Sequence, residues 1–223
     1  MDLQATNSRL DLLKILKPEQ NLLAVSKLQS EDKIKALAAE GQIHFGENYV
    51  QEALEKIENL VSLSLQWHLI GPLQKNKVKF LQKNFAYIHS VNSLELAQLI
   101  SSKAEALQHR QKIFLQVNLS NESSKAGFSE ATLLQLWPQL KELSGIQIVG
   151  LMTMPPLENE PEKNRPYFQT LKKLGAQLHL KEFSMGTSQD FLVALKEGST
   201  WIRIGTMLFG DREIKPTRES RTP

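Results

Sequence analysis

The sequence predicts an α/β protein: a (β/α)8 TIM barrel with one additional helix at its N-terminus. Three observations carry that prediction. Eight segments read as strands, and most are near-continuous runs rich in Ile, Val, Leu and Phe, the pattern of parallel strands covered on both faces. Each interval between them holds one helical pattern, as parallel crossovers require. No G-x-G-x-x-G segment follows the first strand, and eight strands are many for the alternative, an open doubly wound sheet. At 223 residues and 41% hydrophobic content, the chain can bury roughly 70–75% of its unfolded surface.

The elements follow in order. A helical pattern over 7–17 precedes the first strand, "NLLAVSK" at 21–27. The helix "SEDKIKALAAEG" has Ser30 as its N-cap and stops at Gly41. Strand 42–48 leads to a helix at 47–60, strand 65–71 to a helix at 73–83, and strand 85–92 to a helix capped by Ser93, with apolar residues at 94, 96, 97, 99 and 100. Strand 112–120 is followed by a helix from Ser129 to Gly145, and strand 146–154 by the polar loop "PPLENEPEKNRP" and a helix at 162–179. Strand 182–188 runs into a helix from Ser188 to Gly198, and strand 201–210 is the last. No linker or composition shift divides the chain, so it reads as one domain over 1–223 with a charged, flexible tail at 211–223.

Composition excludes several functions. Lys plus Arg number 27 against 24 Asp plus Glu, too balanced for a nucleic-acid partner. The absence of cysteine rules out disulfides and thiolate-bound metal. The five histidines, at 44, 68, 89, 109 and 179, have no ligand spacing, so no metal is expected. There is no secretory leader and no apolar run near the 18 or so residues of a membrane span, so the expectation is a cytoplasmic protein without membrane contact. Lys75, Lys77, Lys79 and Lys83 read as a solvated face, or as a docking patch for acidic partners. Trp67 and Trp201 read as core.

A barrel carries its chemistry at the carboxyl ends of its strands. There the sequence sets Lys27, Asn48, His68, Ser184, Gly186, Thr187, Ser188, Arg203, Gly205 and Thr206. Strand ends are polar in any barrel, and a lysine there also reads as a solvated charge. A lysine desolvated at a barrel mouth is, however, a nucleophile toward aldehydes. "FSMGTSQD" and "RIGT" place Gly beside Ser or Thr after strands seven and eight, the recurrent phosphate position of barrels. An amine opposite a phosphate clamp suggests pyridoxal 5′-phosphate.

The segments "AVSK", "HFGENYVQEALEKI", "WHLIGPLQKNK", "VNLSNESSKAGF", "GLMTM", "FSMGTSQD" and "IRIGTMLFG" together resemble the pyridoxal-phosphate homeostasis protein family, single-domain barrels similar to the N-terminal domain of alanine racemase. The match spans roughly 20–210. The resemblance implies that Lys27 is the Schiff-base lysine, that Ser188, Gly205 and Thr206 hold the phosphate, that Arg203 faces the pyridine nitrogen, and that Asn48 and His68 line the pocket. Thr187 stands where typical members have Met; its hydroxyl either joins the phosphate cup or points away. The implied function is buffering or delivery of pyridoxal phosphate, and indirectly amino-acid and keto-acid balance, by a monomer whose partners are apo-enzymes that need the cofactor, with no catalytic residue of its own. The alternative is an amino-acid racemase. It is disfavoured by Arg203, which keeps the ring a weak electron sink, and by the 13 residues after Gly210, which contain no tyrosine.

Overall fold

The computed structural model describes residues 8–81, 83–120, 126–156 and 160–210. Among them, eight parallel strands close into a barrel in sequence order: β1 Asn21–Val25, β2 His44–Glu47, β3 Gln66–Leu69, β4 Tyr87–Val91, β5 Gln111–Gln116, β6 Ile146–Met152, β7 Glu182–Thr187 and β8 Trp201–Ile204. β8 pairs with β1 from Asn21↔Trp201 to Ala24↔Ile204 and closes the ring. All eight expected strands are present, each shorter than its apolar run. The predicted tail, 211–223, lies outside the described residues.

The helices are α1 Arg9–Ile15, α2 Glu31–Ala39, α3 Val50–Asn59, α4 Leu94–Ala106, α5 Glu130–Lys141, α6 Arg165–Gln177, α7 Phe191–Lys196 and the short α8 Thr206–Phe209. Ser30, Ser93 and Ser129 cap α2, α4 and α5 as expected, each hydroxyl accepting a backbone N–H of the first turn.

Three expectations change. Residues 75–80 form a 3-10 helix, not an α-helix; buried Val78 and Leu81 are three apart, the spacing that a three-residue turn places on one edge. α7 starts at Phe191 rather than Ser188, because Asp190 Oδ1 accepts from Thr187 N at 2.7 Å and from Thr187 Oγ1 at 3.1 Å, tying off a turn first. β8 ends at Ile204, and the chain turns at Gly205 into α8.

Alternation along the strands divides the side chains. Leu22 and Ala24 pack outward into the helix-facing clusters, whereas Leu23 packs inside the barrel with Phe114, Met152 and Trp201. Barrel interiors are usually filled by branched aliphatics. Here rings take much of that space: His68 stacks on Tyr87 with centroids 4.8 Å apart, and His89 on Phe114 at 4.4 Å.

His68 and His89 are fully buried, and burial pushes both well below the usual imidazole range; His89 and His44 add to this for His68, and Arg203 for His89. Below the ordinary value of 6.5 the unfolded chain therefore binds more protons than the folded one, and stability rises with pH. Unfolding midpoints in urea should fall as pH drops from 7 to 5, with a limiting slope of about 1.4 kcal/mol per pH unit for each of the two rings. A flat profile would mean that the rings take up protons inside the fold.

Candidate functional site

Lys27 lies two residues past the end of β1. The ladder continues through Ser26, whose N–H donates to Gly46 O at 3.0 Å, so Leu23 and Val25 share the inward parity, and Lys27 follows in the turn that Gln29 N closes on Ser26 O at 3.0 Å. Ser26 points the other way. On that outer side a buried ion triad grips the turn. Lys56 Nζ donates to Ser26 O at 2.8 Å, to Glu47 Oε1 at 2.8 Å and to Glu52 Oε1 at 2.7 Å. Ser26 Oγ donates to Glu47 Oε1 at 2.7 Å, and Leu28 N donates to Glu52 Oε1 at 2.6 Å. Both neighbours of Lys27 are thus fastened. The grip also holds Leu28 at φ +59°, a left-handed conformation costing about 1–2 kcal/mol. Burial raises the Glu47 carboxyl while Lys56 and Ser26 pull it down, and its Oε2 has no hydrogen-bond partner among the described residues.

Arg203 projects from β8 into the barrel and is 5% exposed. Nη1 donates to Ser184 Oγ at 2.8 Å and Nη2 to Thr153 O at 3.0 Å. Burial lowers the guanidinium to about 10, with Asp190 pulling the other way, so it stays charged at neutral pH.

The expected residues divide into two groups. Lys27, Asn48, Ser188, Arg203, Gly205 and Thr206 come together at the carboxyl ends of β1, β2, β7 and β8. Asn48 is packed against the end of β3: a Cβ on Gly71 would lie 2.3 Å from Asn48 O, so only glycine fits there. Among the described residues the side chains of Asn48, Ser188 and Thr206 make no hydrogen bond within the protein. The others serve the scaffold. Ser184 is buried beneath Arg203. Gly186 has φ +93°, and a Cβ would meet Ala194 Cβ at 2.6 Å. The Thr187 hydroxyl is turned to Asp190. His68 is not at the rim; its two ring nitrogens meet His44 and His89 inside the barrel.

This donor set suits pyridoxal phosphate. Gly205 lies at φ −112°, ψ −85°, and a Cβ there would meet its nearest atoms, on Val25, at an ordinary 3.6 Å. Packing does not demand glycine, so there is room beside β1 at this turn. Lys27, the buried Arg203 cation and the uncommitted hydroxyls of Ser188 and Thr206 belong to the strand ends on this side of the barrel.

Sequence reading missed Glu47, Glu52, Lys56, Asp190 and His89. Lys56 sits in "EALEKIENL" like any helix-surface lysine, so nothing local signals its burial. Glu47 offered one sign, a carboxylate inside an apolar strand.

Comparison with known proteins gives consistent results. The family model for the alanine racemase N-terminal domain matches residues 1–213. The pyridoxal phosphate homeostasis protein of Aquifex aeolicus is 41% identical over 198 residues, 86% of this chain and 87% of that protein. The protein of the same name from Escherichia coli K12 is 36% identical over 205 residues, 88% of each. The solved structure of PipY from Synechococcus elongatus with PLP bound superposes with a TM-score of 0.86 at 41% identity, covering 90% of this chain and 97% of PipY. Alanine racemase from Clostridium difficile, at 18% identity and a TM-score of 0.73 over 92% of this chain and 55% of its own, shares the fold. No described helix is long and apolar enough to cross a membrane.

Replacing Lys56 by Met should leave two carboxylates buried or half-buried without their cation. The expected loss is about 3–5 kcal/mol, read as a lower urea midpoint. Hydrogen exchange at the Leu28 amide should also accelerate beyond what the global loss explains. An unchanged Leu28 rate relative to the core would mean that the triad does not hold the turn.

Proposed function

The chain belongs to the pyridoxal phosphate homeostasis protein family, built on the N-terminal domain of alanine racemase, and from that premise we propose that it binds pyridoxal 5′-phosphate at the barrel mouth, to hold and release the cofactor rather than to turn over a substrate. When bound, the cofactor supplies an aldehyde for an amine, a phosphate to be clamped, and a ring that draws electrons strongly from an attached carbon only when its nitrogen is protonated. Lys27 provides the amine, set between the fastened Ser26 and Leu28. Ser188, Gly205 and Thr206 receive the phosphate. Gly186, Thr187 and Ser184 shape the turn and support Arg203. Asn48 lines the rim.

The observation that carries this reading is a cation, not a carboxylate, in the barrel wall at the expected ring edge: Arg203, 5% exposed. Still protonated at neutral pH, it can donate there and has no lone pair to hold a proton. The electron sink is thereby withheld while the ligand is retained. The receivers in this reading are apo-enzymes of the cytoplasm, and the protein acts as a monomer. The rival, an amino-acid racemase, needs a second proton donor across the substrate carbon. Tyr49, 54% exposed next to Asn48, is the phenol that it would use at this rim.

Protein loaded with the cofactor should absorb in the visible, and borohydride should fix the label to Lys27. Lys27→Ala should lose that absorption and keep its unfolding midpoint, because the side chain is outside the core; label found on another lysine alone would refute the assignment. Carrier and enzyme separate on incubation with L-alanine in deuterated water. The carrier should leave the α-carbon almost unlabelled and the enantiomer pure. Racemisation at a rate on the order of 1 s⁻¹ or faster, typical of enzymes, and abolished by Tyr49→Phe, would establish the racemase instead.

A further inference from the structure

Three histidines join Arg203 to the far end of the barrel. Arg203 Nη1 donates to Ser184 Oγ at 2.8 Å, Ser184 Oγ meets His89 Nδ1 at 2.8 Å, His89 Nε2 meets His68 Nδ1 at 2.9 Å, and His68 Nε2 meets His44 Nδ1 at 3.1 Å. Ser184, His68 and His89 are each 0% exposed. His44 is half-buried and lines a pocket of about 380 Å³ at the amino end, opposite the mouth. The proposed cofactor reading uses neither His44 nor His89. A line of imidazoles where barrels usually place branched aliphatics replaces apolar packing with groups that must all be hydrogen-bonded.

We infer that Ser184, His89, His68 and His44 form one polarised hydrogen-bond relay that couples Arg203 at the mouth to the protonation state of His44 at the opposite end. The polarity follows from Arg203, which can only donate. Among the described residues, Ser184 Oγ has two partners, Arg203 and His89. Accepting from the first, it gives its hydrogen to His89 Nδ1, because the alternative leaves a buried hydroxyl hydrogen without an acceptor. His89 then carries its proton on Nε2 and donates to His68, His68 likewise donates to His44, and His44 turns its own Nε2–H away from the relay.

A proton added to His44 reverses this order. As imidazolium it donates from both nitrogens, so His68 Nε2 must accept. The His68 proton then sits on Nδ1 and points at His89, and the His89 proton sits on Nδ1 and points at Ser184. Two ring protons change nitrogen, one proton is gained at His44, and Ser184 keeps its own hydrogen but loses the acceptor for it among the described residues, a cost that adds to the cost of charging His44. The groups around His44 decide where this occurs. Arg9 and Lys17 line one adjoining pocket; Glu19, Tyr87, Lys181 and Glu182 line the other; His68 lies inside. Burial holds His44 below the usual imidazole range, which places the reversal on the acid side.

The test uses the full chain with ¹⁵N-labelled histidine. Near neutral pH, without cofactor, the spectra should show His44, His68 and His89 all as Nε2–H tautomers. As His44 charges, His68 and His89 should both convert to Nδ1–H at the same midpoint. In His44→Gln, whose amide oxygen accepts from His68 but does not titrate, both rings should keep Nε2–H throughout. Opposed tautomers at His68 and His89, conversion at another midpoint, or conversion surviving in His44→Gln would overturn the relay. The link to the mouth rests on the proposed cofactor reading and is measured apart from it. In loaded protein the visible band should shift with the same midpoint in the parent and lose that shift in His44→Gln. Tautomer reversal with an unmoved band would refute the coupling. A protein that never takes up pyridoxal phosphate would refute the cofactor reading, leaving the relay to be decided by its tautomers.

Discussion

A guanidinium inside a β-barrel is the constraint around which this molecule is arranged. Removing a charge from water costs several kcal/mol even after relaxation, and among the described residues Arg203 makes no salt bridge within 4.0 Å. Its compensation is two neutral acceptors, the Ser184 hydroxyl and the Thr153 carbonyl, and a more distant coulombic pull from the Asp190 carboxylate. Each of those groups is fixed by something else. Thr153 Oγ1 donates to Val117 O at 3.0 Å. Asp190 is held by Asn164 Nδ2 at 2.8 Å and by Thr187. Ser184 is backed by His89. One buried cation therefore organises the carboxyl ends of β6, β7 and β8.

The second buried cation works from the other side of the wall. Lys56 belongs to α3 and lies outside the barrel, where Glu47 and Glu52 neutralise it. Pairing makes it a fastener, and what it fastens is the backbone on either side of Lys27. One lysine is enclosed by carboxylates outside the barrel; the other lies in the turn that follows β1.

The same scaffold in alanine racemase, at 18% identity, shows that the barrel alone does not select an activity. In this chain the barrel wall at the carboxyl ends carries an arginine that is itself anchored by Ser184 and Thr153, and Tyr49, beside Asn48, is 54% exposed.

Periodicity in the sequence was sufficient for the eight strands, their order, the serine caps of α2, α4 and α5, and the strand ends that carry Lys27, Arg203 and Gly205, because these depend on local alternation and on hydrogen bonds within a few residues. It was insufficient wherever a side chain found its partner across the ring. His68 reads as a rim residue until β2 and β4 bring His44 and His89 to its two nitrogens, 24 and 21 residues away. Lys56 looks solvent-bound until α3 packs over β2. These contacts exist only once the barrel has closed, since desolvation and long-range pairing are properties of the assembled fold and not of any short segment of the chain.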